Sequence, residues 1–298
     1  TVAGSEVQAA PDSTDTLVAL LDWHVRAHPG RVHITLLGGE GEEQTLSYAA
    51  LRQGAQKVAA GLRVRDVSPG QAVAIMLPTS HAYFFCFYGA LLAGAIPVPI
   101  YPPLRASQIE EHLRRHARIL ANARATLLIT VPAARPLAQL LRAQTPELRH
   151  VVTVTELSTA VVNPAELQQI GAAIRTRDIA FLQYTSGSTG NPKGVILTHA
   201  NLLANIRAMG EAVQADASDV FVSWLPLYHD MGLIGAWLGS LYYAMPLVVM
   251  SPLTFLARPQ RWLWAIHQHR ATLSAGPNFA FELCLRKIDE RDLAGLDL

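Results

Sequence analysis

Two stretches of this chain repeat one order of residues, and that order restricts the fold more than any other feature. In the first, the apolar run Ala72 to Leu77 passes through a turn, Pro78 to Ser80, into an apolar helical segment 81–93 and a second run, Ile96 to Ile100. In the second, Val220 to Trp224 leads through a loop to Asp230, an apolar helical segment 231–243 and the run Leu247 to Met250. Both second runs end in proline, at Pro102-Pro103 and at Pro252. Near-continuous apolar strands alternating with helices belong to parallel sheets covered on both faces. The repeat predicts an α/β protein with two similar αβ subdomains and largely parallel sheets. A third unit fits between them: helix 107–122, strand 126–131, helix 134–143 and strand 150–154.

The residues ahead of the repeat read as its flank. Positions 1–13 are small and polar and are expected to form a flexible tail. Leu17, Leu20, Leu21 and Val25 recur at helical spacing behind Asp15 and Thr16, which predicts a helix over 16–27. Strands are expected at Ile34 to Leu37 and Gln44 to Leu46, around the glycine-rich turn 38–41. Ser47 then starts a helix containing Leu51, Ala55, Val58 and Leu62.

Composition narrows the class. With 298 residues, half of them hydrophobic, the chain can bury a large core and hold two subdomains. A net charge of +1 gives no electrostatic case for nucleic acid or an acidic membrane. Cys86 and Cys284 both sit in apolar surroundings, so they read as buried thiols of a cytoplasmic protein, not as a disulfide. Segments 82–100 and 231–250 are long enough to cross a bilayer, but Pro97, Pro99 and Pro246 interrupt them. A helix followed by a buried strand explains that punctuation, so no membrane span is expected. No charged n-region followed by an apolar h-region opens the sequence, so no secretory signal is expected.

The chemistry concentrates in one loop. Strand-like runs, Ile179 to Tyr184 and Val195 to Leu197, flank Thr185, Ser186, Gly187, Ser188, Thr189, Gly190, Asn191, Pro192 and Lys193. Glycines let backbone N–H groups approach a ligand, successive N–H groups form an anion-binding concavity, and a lysine adds a point charge for phosphate oxygens. These ingredients suit a polyphosphate. The Walker pattern fails, because Asn-Pro-Lys-Gly follows Gly190.

Tyr184 to Gly194, YTSGSTGNPKG, resembles the phosphate loop of the adenylate-forming superfamily, which includes acyl-CoA synthetases, peptide adenylation domains and luciferase. WLPLYHDMGLIG (224–235), SPLTFLARPQRWLWAI (251–266) and SAGPNFAFELCLRKI (274–288) narrow the resemblance to fatty acyl-AMP ligases. It runs from about Thr16 to the last residue. It implies the N-terminal domain of such an enzyme, truncated: 14–70 with 216–298 in one subdomain, 71–215 with the phosphate loop in the other, and the C-terminal domain absent. It also implies activation of a fatty acid with ATP and Mg2+ to acyl-AMP and pyrophosphate, then transfer to an acyl-carrier protein. Coenzyme A as acceptor is the alternative, and a non-catalytic acyl-binding fragment is another.

Site residues follow from the same resemblance. Thr185, Ser186, Gly187, Ser188, Thr189, Gly190 and Lys193 would hold the phosphates, with Lys193 neutralising the leaving group. His229 would lie beside the acyl carboxylate, donating to an oxygen that develops charge, while Met231, Gly232, Asn278 and Phe279 line the acyl tunnel. Asp230 is also well placed to cap the helix that follows it. The adenine and ribose contacts and the catalytic lysine of the family are expected beyond Leu298, so this chain alone is expected to be inactive. His112 and His116, in HLRRH, have the spacing of metal ligands, but Arg114, Arg115 and Arg118 crowd them, so a basic solvated helix face is expected instead of a metal site. Arg258 and Arg261 read as packing and surface charge.

Overall fold

A computed structural model describes residues 7–39, 41–102, 109–160, 164–185 and 192–298. Its strands are β1 (Val32–Leu37), β2 (Glu43–Ser47), β3 (Ala72–Met76), β4 (Ile96–Pro99), β5 (Ala125–Thr130) and β6 (His150–Thr153). They continue as β7 (Ile179–Thr185), β8 (Lys193–Thr198), β9 (Phe221–Ser223), β10 (Leu247–Met250) and β11 (Leu273–Ser274). The chain divides into two compact units. One comprises Thr1–Thr14, Leu20–Ala49 and Ala204–Leu298; the other comprises Asp15–Ala19 and Ala50–Leu203.

The first unit holds a five-stranded sheet in the order β11-β9-β10-β1-β2. All its pairings are parallel except the β1–β2 hairpin, which turns at Gly41 with φ +83°. Trp224 at the end of β9 stacks on Phe255 with ring centroids 3.9 Å apart, and Trp262 closes the cluster edge-on. The second unit holds a wholly parallel sheet, β4-β3-β5-β6, as the uninterrupted apolar runs predict. Tyr83, Phe84, Phe87 and Tyr88 of helix His81–Leu92 are all fully buried in this unit. β7 runs beside β4 and forms an antiparallel ladder with β8. Among the described residues no strand pairs with the far side of β8, and its Val195 and Ile196 are exposed.

Residues 50–70 fall in the second unit, whereas the resemblance groups them with 216–298. Helix Tyr48–Arg63 explains the difference. A Cβ on Gly54 would overlap the Phe85 ring, one on Gly61 would overlap the Leu157 carbonyl, and Gly89 lies against Val58 and Ala55. Close approach of this kind needs glycine.

Three readings of the sequence are corrected. The segment expected as one helix over 231–243 is a π-helix, Met231–Leu238, followed by a short α-helix, Gly239–Tyr242. His112 and His116 are not on a solvated face: they are 4% and 0% exposed, with rings stacked 3.8 Å apart and Tyr101 edge-on. Helical spacing places both beside Ile119 and Leu120 on the inner face of Ile109–Asn122, leaving Arg114 and Arg118 outside. Burial lowers their pKa values to about 4 for His112 and about 3 for His116. Finally, Cys86 is buried but Cys284 is only half-buried. No helix among the described residues is long and apolar enough to cross a membrane.

Candidate active site

The predicted phosphate loop sits on the β7–β8 ladder. Tyr184 pairs with Gly194 and Thr185 with Lys193, so the ladder holds Thr185 and Lys193 opposite each other at its open end, both exposed. Ser186, Gly187, Ser188, Thr189 and Gly190 lie outside the described residues. The base of the loop is locked from below. The Tyr184 ring lies across Gly194, where a Cβ would come within 2.9 Å of it, and the Tyr184 hydroxyl donates to Asn122 Oδ1 at 2.5 Å. Burial raises the Tyr184 pKa, so the hydroxyl stays a donor.

His229 and Asp230 belong to the other unit. They follow β9 at the carboxyl end of its parallel sheet, the edge where α/β folds bind ligands. His229 N–H donates to the Pro226 carbonyl at 3.1 Å, and its own carbonyl accepts from Leu233 N–H at 2.9 Å. Asp230 caps the π-helix: Oδ1 accepts the Met231 N–H at 2.7 Å and lies 2.6 Å from His229 Nδ1. That contact leaves Nε2 as the ring's outward atom. In the neutral ring with its proton on Nδ1, Nε2 accepts; it donates only when the ring is doubly protonated.

A cavity of about 550 Å³ opens beside Asp230. Met231, Ile234 and Gly235 of the π-helix form one wall, and Ile206 and Met209 of helix His199–Val213 form another. Tyr243 adds to this almost wholly apolar lining. An apolar pocket of this size with few polar groups suits an amphipathic ligand. Of the four residues expected to line an acyl tunnel, Met231 lines this cavity. Gly232 is buried with its α-carbon against the Leu225 and Pro226 carbonyls, so it packs the backbone and not the cavity. Asn278 is exposed at the start of helix Asn278–Lys287, and Phe279 is half-exposed, edge-on to Trp224 at 5.9 Å.

The wall from helix His199–Val213 is not among the expected site residues, although Ile206, Met209 and Val213 recur at helical spacing. A larger cavity, about 710 Å³, occurs in the other unit among Gly70, Ile96 and Ile179. It lies at the amino-terminal ends of β3, β4 and β7, the wrong edge for ligand chemistry in such sheets, and holds none of the predicted site residues.

Comparison with known proteins gives the family. Residues 21–298 match the family model described as AMP-binding enzyme. The chain belongs to that family. It is 34% identical over 286 residues to the medium-chain-fatty-acid–[acyl-carrier-protein] ligase JamA of Moorena producens, covering 95% of this chain and 48% of JamA. It is 33% identical over 300 residues to a putative fatty-acid–CoA ligase, FadD21, of Mycobacterium tuberculosis, covering 96% of this chain and 50% of FadD21. Among solved structures it resembles the fatty acyl-adenylate ligase from L. pneumophila in complex with acyl adenylate and pyrophosphate. That match has a TM-score of 0.82 and 32% identity over 96% of this chain and 48% of the other. The family chain therefore has the mixed α/β fold of these enzymes, and it spans about half the length of the curated relatives it matches.

Proposed function

We propose that this AMP-binding chain serves the activation of a fatty acid by ATP. A carboxylate oxygen bonds to the α-phosphorus, the bond from that phosphorus to the leaving oxygen breaks, and acyl-AMP and pyrophosphate result. The observation that carries this reading is the largely apolar cavity whose few polar lining residues include Asp230, next to His229. In it the acyl chain would shed water while its carboxylate points to His229. Lys193, with Thr185, Ser186, Gly187, Ser188, Thr189 and Gly190, would hold the departing phosphates, a task of positioning and charge neutralisation. His229, oriented by Asp230, would donate from its ring to an oxygen gaining charge.

Mg2+ would enter with ATP, because it keeps water and phosphate oxygens and needs only one or two protein groups. Among the described residues no cluster of three or more His, Cys, Asp or Glu comes together. Bound there, Mg2+ would neutralise phosphate charge. The adenine and ribose contacts and a catalytic lysine would come from the additional length that the relatives possess, and the protein would work in the cytoplasm.

The acyl group would then pass to the thiol of an acyl-carrier protein, as the name of JamA indicates for that relative. The name of FadD21 favours a second reading, with coenzyme A as acceptor. Pyrophosphate exchange driven by a fatty acid, measured on the chain extended to its relatives' length, tests activation. Offering that protein coenzyme A and a carrier protein in turn then separates the acceptors; efficient acyl-CoA formation would overturn the carrier-protein reading.

A further inference from the structure

The cavity wall formed by the π-helix is most open at Gly235, where an added Cβ would meet no atom within 4 Å, whereas at Gly239 it would already touch the Ile234 carbonyl at 3.5 Å. A π-helix closes its hydrogen bonds five residues apart, so residues four or five apart share a face. Met231, Gly235 and Gly239 line the cavity together in this way. The glycines around the cavity differ in what requires them. At Gly210 a Cβ would overlap the Tyr243 ring, and at Gly232 it would overlap the Pro226 carbonyl, so packing explains both. At Gly235 a Cβ would meet nothing within 4 Å, and the residue is not in the positive-φ region. Neither packing nor backbone conformation therefore calls for glycine there, in a helix where glycine is less favourable than alanine. Its missing side chain contributes only empty space on the cavity face.

We propose that Gly235 sets how long an acyl chain the cavity admits. This rests on the acyl-binding reading of the cavity. The open volume beside Gly235 accepts methylenes that any side chain at this position would displace. Each methylene buried from water raises affinity about fourfold. A leucine at 235 would fill the room of about three methylenes, so it would weaken the longest acids that fit by about 60-fold and leave short ones unchanged.

The test titrates the 298-residue chain with saturated fatty acids from hexanoate to palmitate, read by displacement of a fluorescent fatty acid. Wild type is expected to gain affinity with each methylene up to a plateau. Gly235→Leu is expected to plateau about three methylenes earlier, Gly235→Ala about one, with melting temperatures no lower than wild type. A Leu variant that binds every length as wild type does, or weakens every length equally, would overturn the proposal. Should the Leu variant fail to fold, the alanine variant decides by the same shift. Absence of binding by wild type itself would remove the acyl reading and this proposal with it, and that failure is visible before any substitution is made.

Discussion

One carboxylate oxygen of Asp230 serves two neighbours: it lies 2.6 Å from His229 Nδ1 and accepts the Met231 N–H at 2.7 Å. The proposed catalytic ring and the first turn of the cavity wall are thus fixed by the same atom. A hydrogen bond at Nδ1 sets which nitrogen faces outward and what that nitrogen can do.

Removing the ring tests the role of Nε2. His229→Ala is expected to slow acyl-adenylate formation by about 10²–10³, the usual cost of losing one donor to a developing oxyanion. Asp230→Asn should keep the cap, since asparagine and aspartate cap equally well, while slowing the reaction about tenfold or more through loss of the charge beside the ring. Pyrophosphate exchange by the chain extended to its relatives' length checks both. Parental rates in both variants would leave the pair with a capping role alone.

Lys193 is exposed at the mouth of the β7–β8 ladder, so its removal should spare the fold. Lys193→Ala is expected to cost about 2–4 kcal/mol of transition-state stabilisation with little change in melting temperature. Unchanged exchange kinetics would show that the lysine is a loop residue only.

Acid should destabilise this chain early. Tyr48 is sandwiched between His24 and His33, at ring distances of 4.5 and 4.9 Å, and burial lowers these histidines to about 4 and about 3 respectively. Burial likewise lowers His199 to about 4. An unfolded histidine titrates near 6.5, so below that pH the unfolded chain takes up protons that the folded chain refuses. Stability therefore falls as pH drops from about 6.5 toward 4, by up to about 2 kcal/mol per histidine at pH 5, less where two share a cluster. Melting temperatures at pH 7.5 and pH 5 measure the loss, and His33→Gln should shrink it. The same drop in both proteins would exonerate His33.

Two helical glycines should respond with opposite signs. Gly61→Ala would drive a methyl into the Leu157 carbonyl and is expected to cost about 1–3 kcal/mol or more. At Gly171, in helix Pro164–Ala173, a Cβ would make an ordinary 3.6 Å contact with Val18, so Gly171→Ala should stabilise by about 0.4–1 kcal/mol. Urea titration of the two variants compares them directly, and matching signs would contradict the packing described for Gly61.

The contrast between such glycines marks the limit of what the sequence shows. Continuous apolar runs identified the parallel strands, because burial on both faces leaves its mark on every residue of a strand. YTSGSTGNPKG pointed to the AMP-binding family, and HDMG marked the start of the helix that walls the cavity, with Asp230 as its cap. Nothing local distinguishes Gly232, pressed on a backbone, from Gly235, facing open space; the neighbours that decide come from elsewhere in the chain. The same holds for His112 and His116, whose inward face depends on what the helix packs against. The π-helix escaped notice because its hydrogen-bond register is set by backbone packing and has no distinct hydrophobic period over eight residues.

The outer side of β8 carries a consequence for handling the protein. Its backbone groups, which pair with no further strand among the described residues and are flanked by Val195 and Ile196, offer a ready template to a strand from another copy. Concentrated samples of the isolated chain should therefore grow into strand-linked polymers while each copy remains folded. A gatekeeper charge at the more exposed position, Ile196→Lys, should keep them dispersed without altering the ladder.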